Sequence, residues 1–162
     1  MTFQIDGLLK ETGDQTEIEM TGLPEDEEYP LDCRFHEPVK LRATATKLGD
    51  GIALKGTLQA CLDVQCSRCL KEMVYPLEAE IDAVFQKENS EDGYLYEGDI
   101  LPLDKMLLDA ISFEIPVQYL CKKDCKGLCP RCGADLNTQT CGCSAEEVHR
   151  ENPFEKLKGL FD

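Results

Sequence analysis

From Val39 onward the chain alternates. Val39, Leu41, Ala43 and Ala45 are interleaved with Lys40, Arg42, Thr44 and Thr46, the period-2 pattern of a strand with one face buried and one in water. Gly49, Asp50 and Gly51 then predict a hairpin turn. On the return, Ile52, Leu54, Leu58, Ala60, Leu62 and Val64 share one face. In a third strand Leu77, Ala79, Ile81, Ala83 and Phe85 alternate with Glu78, Glu80 and Asp82. Three consecutive antiparallel strands make a meander with one wet face. Ahead of it, residues 3–8 and 16–20 read as short strands, and the acidic run Glu25, Asp26, Glu27 and Glu28 as a solvated loop.

Residues 86–98 are polar and acidic and read as a mobile loop. The period then changes. From Pro102 to Glu114, Leu103, Met106, Leu107, Ala110 and Ile111 form one apolar helical stripe, and Pro116 bars its continuation. Further on, Ser144 with Glu147 has capping-box spacing and Asn152-Pro153 places proline at a first helical position, predicting two short helices. The expected fold is α+β: an antiparallel β-meander or barrel-like sheet, one main helix, and a cysteine-rich C-terminal segment. Residues 1–115 would form the β-rich domain with the helix at about 102–115, and residues 116–162 a zinc-binding segment with short helices, packed on the sheet.

Ten cysteines among 162 residues sharpen this picture. No stretch approaches the roughly 18 apolar residues of a membrane span. The opening MTFQIDGLLKETG has neither the basic leader nor the apolar run of a secretory signal. The expected compartment is therefore the reducing cytoplasm, where grouped cysteines point to metal rather than to disulfides. Cys33 and Cys61 are isolated and read as small buried hydrophobes. The other eight come in pairs: Cys66 and Cys69, Cys121 and Cys125, Cys129 and Cys132, Cys141 and Cys143.

Two thiolates separated by two residues clasp one zinc ion from a tight turn, and four thiolates complete its tetrahedron. Eight ligands imply about two zinc ions. The favoured partition joins Cys66 and Cys69 to Cys121 and Cys125, leaving Cys129, Cys132, Cys141 and Cys143 as a local knuckle. A second partition joins Cys121 and Cys125 to Cys129 and Cys132, and the spacing allows both. A full thiolate set leaves no open position, so the metal is expected to be structural. Zinc is preferred to an iron–sulfur cluster, which four thiolates also suit. It is preferred as well to a thiol–disulfide enzyme, whose reactive cysteine opens a helix in a βαβ unit, whereas Cys66 ends a meander strand. His36 and His149 are at no ligand spacing. With no phosphate loop and no GxSxG motif, neither catalysis nor a small-molecule substrate is expected.

The formal charge of -15 is uneven. Residues 1–32 carry a net -9 and residues 78–99 a net -7, whereas the span 121–133 holds Lys122, Lys123, Lys126 and Arg131 against Asp124 alone. The field of the whole chain repels nucleic acid at long range, while the cysteine-rich span is able to meet phosphates locally.

Four segments carry a resemblance: VQCSRC at 64–69, PVQYLC at 116–121, GLCPRCGADLN at 127–137 and NPFEKL at 152–157. In this order the chain, from about residue 39 to its end, resembles the YceD family, the bacterial large-ribosomal-RNA accumulation proteins. The resemblance implies metal at the cysteine pairs and a cytoplasmic, non-enzymatic factor supporting synthesis, processing or stability of 23S ribosomal RNA. Large-subunit ribosomal RNA or basic ribosomal proteins are then the expected partners, with Lys122, Lys123, Lys126 and Arg131 as contacts. The alternative is a zinc-dependent transcription or redox regulatory module.

Overall fold

Three strands of 15 residues each dominate the structure, a computed structural model that describes residues 1–5, 10–25, 34–87 and 93–143. In chain order the elements are β1 (Thr2–Gln4), β2 (Gln15–Gly22), β3 (Arg34–Leu48), β4 (Gly51–Gln65), β5 (Glu72–Gln86), β6 (Tyr94–Leu95), β7 (Ile100–Pro102) and α1 (Asp104–Glu114). Cys33, residues 26–28 of the acidic run, His149 and both anticipated C-terminal helix starts lie outside the described residues. The chain divides into two compact units, Met1–Cys125 and Lys126–Asp162.

Alternation builds the first unit. The order β2-β3-β4-β5-β6 forms one sheet, and β1 pairs with β7 in a separate ribbon. Rows of paired residues cross the sheet, with Met20, Leu41, Leu58 and Ala79 in one inward row and Glu19, Arg42, Thr57 and Glu80 in the next, outward one. Opposite charges meet on the wet face, where Arg42 lies 2.9 Å from Glu19 and Lys55 3.0 Å from Asp82. Such exposed pairs add a few tenths of a kcal/mol each, roughly 0.2–1. The inward face carries the stability. It is covered by α1, through Met106, Leu107 and Ile111, and by Leu101 and Leu103.

Gly56 marks the tightest strand contact. A Cβ there would lie 2.1 Å from the Arg42 carbonyl oxygen and 2.5 Å from the Ala43 Cα, so no other residue fits opposite Ala43 without moving backbone.

Several expectations are corrected. The sheet is not closed into a barrel; β2 and β6 end its order. Closure is unnecessary where a helix and a ribbon already cover the apolar face. Nor is the sheet wholly antiparallel, because β6 runs parallel to β5 through Phe85–Tyr94 and Gln86–Leu95. The span read as a mobile loop thus contains a short strand and the buried Tyr96. Tyr94 donates a 3.0 Å hydrogen bond to Asp109 on α1, and burial followed by that carboxylate pushes its hydroxyl up to about 12. The helix starts at Asp104 rather than Pro102, which instead pairs with Thr2. Cys61 is half-buried on the outward face opposite Glu37 and Pro76, not in the core. Among the described residues no helix is long and apolar enough to cross a membrane.

Candidate metal centres

The end of β4 builds the first centre. After Gln65 the chain turns so that the Cys66 N–H donates to the Lys71 carbonyl at 2.9 Å, while the Leu70 N–H donates back to the Cys66 carbonyl at 2.9 Å. Leu70 closes the turn at φ 59, a left-handed conformation rare for leucine. Both Cys66 and Cys69 then face the segment that follows α1. That segment is fixed by reciprocal bonds, Ser67 N–H to the Tyr119 carbonyl at 2.8 Å and Tyr119 N–H to Ser67 Oγ at 3.1 Å. Arg68 donates to the Cys125 carbonyl at 2.9 Å, and the Tyr75 and Tyr119 rings meet edge-on with centroids 5.1 Å apart.

The result is a tetrad. Cys66, Cys69, Cys121 and Cys125 have all their sulfurs within 4.8 Å of one another. Cys66 Sγ is 3.8 Å from Cys125 Sγ, and Cys69 Sγ is 3.6 Å from Cys121 Sγ. Thiolates about 2.3 Å from a central zinc form a tetrahedron with edges of about 3.8 Å. The sulfurs therefore fit such an ion. Cys66 and Cys125 are buried, while Cys69 and Cys121 are half-buried.

The second centre uses the same turn. The Cys129 N–H donates to the Ala134 carbonyl at 2.8 Å and the Gly133 N–H to the Cys129 carbonyl at 2.9 Å, with Gly133 at φ 72 in the place Leu70 takes in the first. Cys129, Cys132, Cys141 and Cys143 gather within the same 4.8 Å limit. Their frame is the short loop 127–136, closed by Leu136 N–H to the Gly127 carbonyl at 3.0 Å and by Lys126 N–H to Asn137 Oδ1 at 2.9 Å. Asp135 in turn accepts from the Asn137 backbone N–H at 2.9 Å. Cys129 is buried, Cys141 and Cys143 half-buried and Cys132 exposed.

Electrostatics repeat as well. Backbone N–H groups of Cys121, Arg68 and Cys69 aim at the Cys66 sulfur and lower its pKa to about 6. Those of Cys132 and Arg131, with the Cys141 thiol, lower Cys129 to about 6. Burial, then the sulfurs around it, pushes Cys121 up to about 12. The Cys132 sulfur, then burial, does the same for Cys143. Each set thus holds one ready thiolate and one thiol that keeps its proton until a cation relieves the crowding of sulfurs.

The structure gathers the four pairs as the favoured spacing had them, and each tetrad can hold a metal ion. It does not gather the four basic residues into one unit. Lys122 and Lys123 belong to the first unit, Lys126 and Arg131 to the second, and all four are exposed. Sequence reasoning missed Ser67, Arg68 and Tyr119, which brace the first tetrad across some 50 residues. No local pattern announces such bonds. Asp135 and Asn137 were within reach, because short side chains of this kind often bond backbone in turns.

Fold and sites define an α+β protein with two four-cysteine clusters, each able to hold a metal ion. Residues 54–161 match the family model described as "Large ribosomal RNA subunit accumulation protein YceD", and the chain belongs to that family. Among curated relatives, an uncharacterised protein of Mycobacterium tuberculosis is 27% identical over 100 residues, covering 57% of this chain and 48% of that one. The maize "Large ribosomal RNA subunit accumulation protein YCED homolog 1, chloroplastic" is 26% identical over 160 residues, covering 76% of this chain and 54% of its own. A Bacillus subtilis protein, YlbN, is 26% identical over 110 residues, with 64% of each chain covered. The chain spans about half the length of the first of these relatives, 48%. No solved structure matches it.

Proposed function

We propose that the chain is a non-enzymatic, zinc-binding cytoplasmic factor that supports synthesis, processing or stability of 23S ribosomal RNA in large-subunit biogenesis. What carries this is one conjunction: membership of a family named for large-subunit RNA accumulation, in a chain with two thiolate sets of zinc dimensions. About two zinc ions bind, one at Cys66, Cys69, Cys121 and Cys125, the other at Cys129, Cys132, Cys141 and Cys143. Bound zinc supplies cross-links and no open coordination position. The cysteine-rich segment 116–162 presents Lys122, Lys123, Lys126 and Arg131 to large-subunit ribosomal RNA or a basic ribosomal protein. Neither a membrane nor a small-molecule substrate is involved.

Charge sets the balance between these partners. The chain is at -15, and each zinc with four thiolates adds a net of about -2. RNA binding is therefore weak, salt-sensitive and limited to a few phosphates, and binding to a basic protein is tighter. Elemental analysis should first find about two zinc ions per chain; stoichiometric iron, or no metal, overturns the assignment. Changing Lys122, Lys123, Lys126 and Arg131 together to alanine should keep both ions and the fold yet lower large-subunit RNA in cells. Normal RNA levels with the variant well expressed would remove these residues from the function. The exposed Cys132 favours a second role, in redox regulation.

A further inference from the structure

Two thiolate sets built on the same turn sit in unlike surroundings. In the first, two thiols are buried, and the reciprocal bonds of Ser67 with Tyr119 and the bond from Arg68 to the Cys125 carbonyl hold the partners together independently of any ion. In the second unit only Gly127 and Cys129 are buried among the described residues 126–143. Apolar burial there is too small to fold a segment of this size, so the ion is its core. One of that ion's ligands, Cys132, is exposed beside the exposed Arg131. Thiolate oxidation follows exposure.

We infer that the knuckle of Cys129, Cys132, Cys141 and Cys143 is a peroxide-responsive metal site, with Cys132 as the sulfur attacked. A peroxide transfers one oxygen to the Cys132 thiolate, giving a sulfenic acid and, from hydrogen peroxide, one hydroxide. A second thiolate of the same set, all within 4.8 Å, attacks that sulfur. A disulfide forms and the oxygen leaves as a second hydroxide. The two thiolates have together lost two electrons and the peroxide has gained them. Two thiolates remain, too few to retain the ion, and the segment 126–143 loses its core. Lys126 and Arg131 are then no longer held on a fixed backbone, which couples peroxide to partner contact. Dithiol reductant and fresh metal reverse the change.

The switch presupposes the metal-binding role proposed for the tetrads, and the experiment separates the two. Full-length protein loaded with zinc is treated with hydrogen peroxide in the presence of a chromogenic zinc chelator, and its thiols are mapped by timed alkylation and mass spectrometry. One ion should be released at least about tenfold faster than the other, with a disulfide appearing inside residues 129–143 and Cys132 the first thiol lost. Amide protection should vanish over 126–143 and persist over 34–65. Both ions leaving together, or Cys69 or Cys121 reacting first, overturns the switch while leaving the metal sites standing. Protein that never binds a second ion overturns the metal role of the knuckle itself, and the switch with it. Because the readouts use the native chain, no ligand substitution at the knuckle is required.

Discussion

The turn at Cys66 and the turn at Cys129 share their cysteine pattern and backbone bonds, yet a bound metal would mean different things to them. The first grows from a 15-residue strand and is tied by Ser67, Arg68 and Tyr119 to the chain after α1. Metal bound there would reinforce a junction that the sheet and helix already position. The second stands among described residues 126–143 of which almost none is buried, where a bound ion would hold together what apolar packing does not. One motif would serve as a rivet in one unit and as the organising centre of that segment in the other. What distinguishes them is the packing around the sulfurs, not the sulfurs.

Ligand deletion should break the symmetry most strongly. Cys141→Ser should lose one ion and all amide protection over 126–143, with thermal unfolding of the sheet unmoved. Cys66→Ser should also lose one ion, but loosen residues 119–125 and cost the first unit roughly 3 kcal/mol, with the inner rows of β3 and β4 still protected. Hydrogen exchange showing the strands equally disturbed by both changes would contradict the partition.

Acid comes next in size. Binding an ion displaces protons from the thiols, so affinity must fall as pH falls. Cys121 and Cys143, pushed up to about 12, each surrender a proton at any working pH. Cys66 and Cys129, lowered to about 6, add a further proton to the exchange only below that value. Zinc retention should therefore fall already through the neutral range, as protons on the raised thiols must be displaced, and fall more steeply below about 6 at both sites. The ion of the second unit should leave at the higher pH, since its ligands must also be ordered by binding. Titration against a zinc indicator, with Cys141→Ser marking which ion is which, tests this; the opposite order would show that the bracing of the first site adds nothing to its affinity.

How much of this was legible follows from what alternation can and cannot register. The inward rows through Leu41, Leu58 and Ala79 were plain, because every second residue is apolar over long runs. The ends of two strands were not. The alternation is legible from Val39 and from Leu77, yet β3 starts earlier and passes Pro38 through register shifts between Phe35 and Lys40, and β5 starts earlier and carries Pro76 where only β4 pairs with it. An edge position leaves the missing N–H without consequence. The pairs β5–β6 and β1–β7 involve two or three residues each, too few for any period, and β1–β7 joins positions about a hundred residues apart. At the sites, the cysteine spacing announced the groups, but Ser67 and Arg68 occupy the two free positions of a Cys-x-x-Cys motif. Their partners, Tyr119 and Cys125, become neighbours only once the sheet and helix have formed.

The smallest test exchanges the residues at the left-handed position of the two turns. Leu70 adopts φ 59 where Gly133 adopts φ 72. A left-handed non-glycine residue costs about 1–2 kcal/mol, and glycine pays back roughly 0.5–1 kcal/mol of that in unfolded-state entropy. Leu70 is 59% exposed, so its removal sacrifices little burial. Leu70→Gly should therefore strengthen the first turn by about 1.5 kcal/mol at most, slowing zinc loss by a factor of about 10 at most. Gly133→Leu should weaken the second by about 1.5 kcal/mol at most, the left-handed penalty less the same entropy offset, since a Cβ at that position meets nothing within 4 Å and the penalty is purely conformational. Zinc dissociation followed by chelator competition resolves changes of this size. If Leu70→Gly instead releases its ion faster, the leucine side chain contributes something beyond turn geometry, and its exposed surface becomes the place to look for a partner. If both substitutions are silent, the shared bonds of the turns are strong enough to absorb the strain, and the contrast between the sites rests on packing alone.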